Sequence, residues 1–191
     1  EHRVLSAGKI FVGWSRRLIE QGAYFYAFSH MCAHEVRVPP NTFTITCVRD
    51  PMSRVLSHYR MLRFYAENDI NHPCMETEGL WLGSSFGDFL RRIPDAHLLR
   101  QLHMFSESFD VSEALGRARG CSKVLFLEEF DNGVREVGEA LGLPLRSVHA
   151  SKTKYDFVPT PDERAGLRER LEPEYVFYNR LRAATARDTA G

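Results

Sequence analysis

The stretch TFTITCVRDPMSRVLSHYRML, residues 42–62, joins a short apolar run to a helix-like pattern that carries several arginines. Residues 43–48 are apolar and β-branched, which predicts a strand buried on both faces, as in a parallel sheet. Asp50 is a good helix N-cap and Pro51 a good first helical residue, so a helix should begin directly after Arg49. The stretch therefore predicts a strand, a sharp turn and a helix that runs to about Tyr65.

The predicted turn after Arg49 has the features of an anion site. A helix N-terminus offers free backbone donors and a positive dipole end, and both favour an anion. Arg49 lies at the mouth of this turn and Ser57 lies on the second turn of the helix, so a guanidinium and a hydroxyl can converge on one phosphate. The same pattern is also ordinary α/β construction with arginines that face water. The residues alone leave both interpretations open.

The remainder of the chain alternates short apolar runs with helical patterns. Strand-like runs cover residues 24–29 and 123–127. Helical spacing of apolar residues predicts helices over residues 3–21, 86–93, 96–105, 111–119 and 131–141, and another from Pro161 that breaks near Pro173. This order predicts an α/β fold, a three-layer sandwich built on a central, mostly parallel sheet. Ligands of such folds lie outside the carboxyl ends of the strands, where Arg49 is expected.

Composition and charge limit the classes of function. The 191 residues are 43% apolar, which suits a single domain with one core. The 25 basic and 25 acidic side chains cancel, so no overall field favours nucleic acid or a membrane surface. No apolar run approaches the length of a membrane span. Any anion site must therefore be local.

The cysteines give no metal or redox motif. They are Cys32, Cys47, Cys74 and Cys121. No C-x-x-C pair occurs, and no cysteine and histidine spacing matches a known set of metal ligands, so no metal is expected. Cys47 falls inside the predicted strand, and we expect it to be a small buried hydrophobe.

The segment CVRDPMSRVLSHYRML resembles the motif that binds the 3′-phosphate of 3′-phosphoadenosine 5′-phosphosulfate (PAPS) in sulfotransferases. By this resemblance, Arg49 and Ser57 hold the 3′-phosphate. The pattern is most similar to the carbohydrate sulfotransferases, in particular the heparan sulfate and related uronyl 2-O-sulfotransferases and their bacterial relatives. The resemblance implies a P-loop-like sulfotransferase fold for the whole chain.

Further segments resemble the same family. FYAFSHMCAHE resembles a strand followed by the histidine that serves as base toward the acceptor hydroxyl, which implies a catalytic role for His30, with His34 as second choice. VHASKTKYDFVPT resembles the basic loop that folds over the nucleotide and implies donor contacts from Lys152 and Thr153. KVLFLEEFDNGVREVGEALGLPL and LEPEYVFYNRL resemble a strand-glutamate-helix segment and the terminal helix. The resemblance covers about residues 10–182.

The implied activity is transfer of a sulfuryl group from PAPS to a hydroxyl, expected to belong to a saccharide, with adenosine 3′,5′-bisphosphate (PAP) as product. Neither a metal nor a nucleic-acid partner is implied. Animal relatives work in the Golgi lumen behind a membrane anchor and bacterial relatives in the cytoplasm, so the resemblance leaves the compartment open. The acceptor and the oligomeric state also stay open.

One expected part of the family pattern is missing. Such enzymes begin with a strand and a Lys-, Thr- and Ser-rich turn that binds the 5′-phosphosulfate. Residues 6–9, Ser-Ala-Gly-Lys, match this turn too weakly. We therefore expect residues 1–191 to form a single sulfotransferase-like domain that is truncated at its N-terminus.

Two other classes of function stay open at this point. One is a phosphate- or nucleotide-binding α/β protein without catalysis, or a kinase-like one. The other is a helical interaction module with no small-molecule site. Glu128 and Glu129 could be paired carboxylates for acid–base work, but capping and solvation are the simpler interpretation at a strand end.

Overall fold

The strand-turn-helix unit forms as the sequence predicts. In the computed structural model, which describes residues 5–6, 8–148 and 155–188, β4 spans Ile45–Val48 and α2 spans Pro51–Glu67. The Asp50 carboxylate accepts a hydrogen bond from the Ser53 amide at 2.8 Å, and Pro51 occupies the first turn. The helix start is therefore set by a side-chain cap and a proline.

The strands pair in two small sheets. β4 runs parallel to β5 (Lys123–Phe126), with Val48 opposite Phe126. The other sheet has the order β1 (Leu5–Ser6), β2 (Lys9–Gly13) and β3 (Tyr24–Ala27). Its β1–β2 pair is antiparallel and its β2–β3 pair is parallel. The predicted mixed α/β class is confirmed, and within the described ranges the strands form these two sheets without hydrogen bonds between them.

The predicted helix over residues 3–21 is wrong for most of its length. The described part of this segment forms a hairpin of β1 and β2, and only α1 (Arg16–Glu20) is helical. Gly8, with φ of +78°, supplies the left-handed turn of the hairpin. The run Ile-Phe-Val in β2 has strong strand propensity, and pairing with β3 overrides the helical spacing of the apolar residues.

The predicted burial of β4 on both faces is also wrong. Val48 is buried, but Ile45 and Cys47 are exposed. β4 is hydrogen-bonded to β5 alone among the described strands, so its other edge and part of its surface stay open. Cys47 is thus a surface thiol and not the small buried hydrophobe expected from its neighbours.

Helices make up most of the remaining chain. They are α3 (Phe86–Arg92), α4 (Asp95–Leu98), α5 (Arg100–His103), α6 (Val111–Arg119), α7 (Phe130–Leu141), α8 (Pro161–Arg170) and α9 (Glu172–Asp188). Short 3₁₀ turns at Pro73–Glu76 and Glu78–Trp81 lie in the segment after α2. The core between these helices is apolar and aromatic, with Tyr59, Phe89 and Phe177 among its fully buried side chains.

The chain breaks between α8 and α9 at the predicted place. Pro173 is the second residue of α9, where its missing amide donor costs nothing. The helix then continues well past Tyr178, where the sequence pattern placed its end. α2 and α9 are 17 residues each. By length and apolar content, no helix of the described residues can cross a membrane.

Candidate functional site

A cavity of about 270 Å³ lies where β4 ends, at the edge of the sheet that the sequence predicts for a ligand. Its lining includes His30, Val48, Arg49, Arg54, Arg100 and Gln101. His30 follows β3, Arg49 follows β4, and the last two residues belong to α5. Three parts of the chain thus bring three arginines and one histidine to a single cavity.

The backbone of Arg49 is held on both sides by one amide side chain. The Arg49 amide donates to Gln101 Oε1 at 2.7 Å, and Gln101 Nε2 donates to the Arg49 carbonyl at 2.9 Å. Gln101 is itself buried, with 8% of its surface exposed. This pairing resembles one rung of a sheet ladder, so it fixes the end of β4 against α5.

The Arg49 guanidinium has unused donor capacity. Its Nη2 donates to the Ser53 carbonyl at 3.0 Å, whereas its Nε is buried and has no hydrogen-bond partner among the described residues. Burial lowers the pKa of this guanidinium, and the carboxylate of Glu128 opposes the change. An arginine stays charged despite such a shift. A buried cation with a free N–H beside a cavity is suited to an anion.

Ser57 lies near Arg49 along the helix but does not line the cavity. Its side chain is half-buried on α2. In an α-helix the carbonyl of Ser53 accepts from the amide four residues later, which is Ser57. Because Arg49 Nη2 donates to that same carbonyl, the guanidinium reaches the first turn of α2, about one helical turn before Ser57.

Arg54 is fully engaged in the fold. Its Nε donates to Glu174 Oε1 at 3.2 Å, and its two Nη atoms donate to the carbonyls of His97 and Leu98. Glu174 on α9 has no exposed surface. Its other oxygen accepts from the amides of α5, at 2.9 Å from Gln101. A buried carboxylate with this many donors offsets the charge of Arg54 and joins α2, α5 and α9.

His30 is exposed at the cavity rim. Its carbonyl accepts a hydrogen bond from Arg100 Nη2 at 2.7 Å, and its ring contacts the edge of Phe28 at a centroid distance of 6.4 Å. Arg100 therefore ties the segment after β3 to α5. The imidazole remains accessible to a molecule in the cavity.

The side chains that line the cavity carry positive charge. Glu174 offsets Arg54. In the described part of the chain, Arg49 and Arg100 donate to carbonyl oxygens and have no ion-pair partner. The carboxylates of Glu128 and Asp50 act on Arg49 from nearby but do not line the cavity. An anion in the cavity therefore meets guanidinium groups first, even though the chain as a whole has no net charge.

The remaining predicted site residues divide into two groups. Lys152 and Thr153 lie outside the described residues. Glu128 takes a structural role, because its carboxylate accepts from the Asp50 amide at 2.7 Å and from the Tyr178 hydroxyl at 3.1 Å. Glu129 forms an ion pair with Arg182. The expectation that these two glutamates are structural is consistent with these contacts.

Sequence reasoning missed Arg100, Gln101 and Glu174. Gln101 is 52 residues from Arg49, and Glu174 is 73 residues from Gln101. Local spacing carries no information on such pairs. The one available signal was a polar Arg-Gln pair inside an otherwise apolar helical run, which is unusual for a helix packed in a core.

A second cleft, of about 580 Å³, lies on the other side of the α2 N-terminus. Its lining includes Asp50, Ser53, Arg164, Arg168 and Tyr175. The Arg168 guanidinium lies 3.6 Å from the centroid of the Tyr175 ring, a cation–π contact. This cleft holds a carboxylate as well as arginines, so it is less suited to an anion than the cavity beside Arg49.

Comparisons with known proteins give no relative. No family model matches the chain, and no curated protein or solved structure matches it.

Proposed function

We propose that this chain is a sulfotransferase domain that moves a sulfuryl group from PAPS to a hydroxyl, with a saccharide as the expected acceptor. The observation that carries the proposal is the cavity at the end of β4, because it is lined by both His30 and Arg49. The sequence resemblance assigns these two residues to opposite ends of one reaction. The resemblance rests on sequence segments alone, so the position of both residues in one cavity is separate support for the proposal.

The residues around the cavity suit one anionic end of the donor. The free Nε of Arg49 and the unpaired charge of Arg100 favour a phosphate or a sulfate. Small-molecule pockets are commonly about 300–1,000 Å³, so a cavity of 270 Å³ suits part of a nucleotide. In this proposal Arg49 and Ser57 hold the 3′-phosphate, and Lys152 and Thr153 complete the nucleotide site.

When bound, PAPS supplies an activated sulfuryl group whose leaving group is the nucleotide phosphate. The chain must hold donor and acceptor in line, neutralise negative charge and take one proton. In this proposal Arg100 supplies positive charge beside His30, and Arg49 neutralises the 3′-phosphate. The exposed imidazole of His30 is placed to accept the proton of the acceptor hydroxyl, and a neutral imidazole suits this role near neutral pH.

The proposal includes the finer fold assignment, a P-loop-like three-layer sandwich around a mostly parallel sheet. One feature supports it. Each described sheet contains a parallel pair, β2–β3 in one and β4–β5 in the other. Parallel pairs need crossover connections, and helices lie between the paired strands in the chain, as in sandwich folds.

Binding of PAP tests the donor site. We expect calorimetric titration to show that the wild-type chain binds PAP and that Arg49→Ala and Ser57→Ala each weaken binding by roughly 10-fold or more, because each removes a contact to a charged phosphate. Arg135→Ala is the control, since Arg135 lies on the exposed face of α7 and pairs with Glu139. Equal affinity in all four proteins would make the site assignment wrong.

Sulfate transfer tests the role of His30. With the full-length protein, labelled PAPS and a panel of glycans and small alcohols, we expect turnover by the wild type and its loss in His30→Ala, with PAP affinity unchanged. His72→Ala, at a residue outside the cavity lining, is the control and should keep full turnover. Normal turnover in His30→Ala would exclude this histidine as the base.

A second candidate function, phosphate or nucleotide binding without transfer, is favoured by one observation. Within the described residues, the His30 side chain has no hydrogen-bond partner that would orient it, as the bases of catalytic pairs usually have. This alternative predicts PAP binding that depends on Arg49, together with no turnover on any acceptor.

A further inference from the structure

A compact turn directly after His30 brings three metal-ligating side chains together. Cys32, His34 and Glu35 each offer one ligand atom, and these atoms all lie within 4.8 Å of one another. The turn is well fixed, because the Glu35 amide donates to the Cys32 carbonyl at 3.0 Å and the Ala33 amide donates to the Met104 carbonyl at 2.7 Å. Cys32 is 4% exposed and Glu35 lies at the surface.

A second, independent observation lies at the same place. His34 Nδ1 and His103 Nδ1 are both buried without a hydrogen-bond partner in the described chain. Their rings are 5.8 Å apart between centroids. A buried polar atom left unsatisfied costs about 1–3 kcal/mol, so each of these two imidazole nitrogens calls for a partner. His103 ends α5 and precedes Met104, whose carbonyl binds the turn.

We propose that Cys32, His34, Glu35 and His103 form a zinc site. This inference goes beyond the sulfotransferase proposal and does not depend on it. The site would join the turn that follows His30 to the end of α5, the helix that carries Arg100 and Gln101. Zinc would thereby fix two walls of the cavity relative to each other.

The ligand set selects the metal. A thiolate, two imidazoles and a carboxylate suit Zn²⁺, whereas Ca²⁺ and Mg²⁺ prefer oxygen ligands alone. Four ligands match tetrahedral zinc. With bonds of about 2.0–2.3 Å, tetrahedral ligand atoms are about 3.5 Å apart. The ligand atoms of Cys32, His34 and Glu35, which lie within 4.8 Å of one another, therefore have to contract by roughly 1 Å, and His103, which lies outside that group, has to move further. Glu35 can make such a movement because its side chain is exposed.

Burial and nearby charges shift the pKa values of the proposed zinc ligands. Burial raises the pKa of the Cys32 thiol, and Arg100 opposes this change while Glu35 and Glu107 add to it. Burial lowers the pKa of His103, with Arg100 and His34 adding to this shift and the Ser106 backbone and Glu35 opposing it. Zinc binds the deprotonated thiol, so it must displace the thiol proton. Affinity should therefore rise with pH.

The sequence predicts no metal, so the proposed zinc site departs from that expectation. The local pattern Cys-x-His-Glu matches no familiar spacing, and the fourth ligand is on a distant helix. Long-range contacts bring the two segments together, among them the hydrogen bonds from the Ala33 amide to the Met104 carbonyl and from Arg100 to the His30 carbonyl. Sequence spacing could not have found it.

The test is zinc titration of the metal-free full chain against a chromophoric chelator, with Co²⁺ absorption as a second probe. We expect one zinc per chain, and a thiolate-to-cobalt band that Cys32→Ser removes. Affinity should fall at least 10-fold in Glu35→Gln and in His103→Gln. Glu35→Gln is the safest variant for folding because its side chain is exposed.

The chain offers a matched control. His72 Nδ1 lies 3.0 Å from Cys74 Sγ, a histidine–cysteine pair of similar composition at another place. Cys74→Ser should keep wild-type zinc affinity and the cobalt band. Wild-type affinity in Cys32→Ser or Glu35→Gln, or loss of binding in Cys74→Ser, would overturn the site, and wild-type affinity in His103→Gln would overturn the four-ligand set.

Thermal unfolding gives a readout separate from the optical ones. A ligand that binds only the folded state raises its stability in proportion to the logarithm of its concentration. We expect zinc to raise the Tm of the wild type and of Cys74→Ser, and to leave the Tm of Cys32→Ser unchanged. An equal rise in all three proteins would contradict the proposal.

Discussion

Aromatic side chains are buried in the helical core but largely exposed in the N-terminal sheet. In the helical core, Phe89 and Phe177 have no exposed surface. In the sheet of β1–β3, Phe25 is 63% exposed, and Trp14, directly after β2, is 52% exposed. The exposed rings contact each other, for example Phe11 and Phe25 at a centroid distance of 5.1 Å. Apolar content alone therefore does not indicate which segment carries the stability of the chain.

This contrast assigns most of the free energy of unfolding to the helices. Burial of apolar surface is the main favourable contribution to folding, and the exposed rings of the sheet contribute only part of theirs. The cavity beside Arg49 lies where the two regions meet, with His30 on the side of the sheet and Arg100 on the helical side. The following experiments compare the two regions directly.

The largest contrast is expected between two phenylalanines. Phe89→Ala should lower the free energy of unfolding by about 3–5 kcal/mol, because it leaves a cavity in the core. Phe25→Ala should lower it by about 1 kcal/mol, from the loss of one aromatic contact. Urea unfolding followed by circular dichroism gives both values. Similar losses for the two variants would mean that the sheet is as important to stability as the core.

Loss of the buried Glu174 carboxylate should have the next largest effect on the free energy of unfolding. Glu174→Ala leaves the Arg54 guanidinium and the Gln101 amide unpaired in the interior, so we expect a loss of about 3–5 kcal/mol. Glu169→Ala, on the exposed surface of α8, is the control and should change stability by less than about 0.5 kcal/mol. Urea midpoints of the two variants decide the matter, and a small loss for Glu174→Ala would contradict the structural role of this network.

One glycine substitution in the sheet and one in the helical region test the two regions separately. A Cβ at Gly13 would lie 2.0 Å from Tyr24 Cε1, so Gly13→Ala should displace the ring and disrupt the β2–β3 pair. At Gly116 on α6 a Cβ meets nothing within 4 Å, and Gly116→Ala should stabilise the helix by about 0.5–1 kcal/mol. Hydrogen exchange should show faster exchange in β2 and β3 of Gly13→Ala with the helices unchanged. Uniformly faster exchange would mean that the regions unfold as one unit.

Acidification should lower the stability of the helical region through buried histidines. We expect this effect to be the smallest of those compared. Burial lowers the pKa of His58 below its usual 6.5, against the opposing effect of Glu78. The unfolded chain then binds the proton more readily, so stability should fall as the pH drops below about 6.5. His58→Gln should reduce this fall between pH 7.5 and pH 5.5, as measured by urea midpoints. His97 and His103 share the same direction of shift, so a residual slope is expected.

The turn after β4 shows how much local sequence can predict. The Asp50 cap, the Pro51 start and the helix that follows depend on residues within a few positions of one another, and all three are confirmed. The first 20 residues show the limit, because the apolar spacing there fits a helix. Pairing of β2 with β3 decides between the two structures, and that pairing involves residues outside the local window.

In the candidate site, too, the sequence predicts the place of some residues but not of others. Arg49 follows β4 as predicted, and His30 follows β3 as predicted. Their roles remain predictions. Gln101, which holds the Arg49 backbone, is a neutral side chain within a helical run, and its sequence neighbours do not indicate its partner. Long-range hydrogen bonds of this kind arise from packing, which local spacing does not report.

The sequence by itself determined the strand-turn-helix unit of residues 45–67, because caps, prolines and strand propensity act over a few bonds. It also determined the alternation of strands and helices that makes the chain α/β. Only the tertiary structure decided that Glu174 offsets Arg54 while Arg49 keeps a free donor, and that His103 meets the turn at Cys32 and His34. These outcomes depend on which distant segments pack together, since burial and electrostatic pairing are properties of the folded interior.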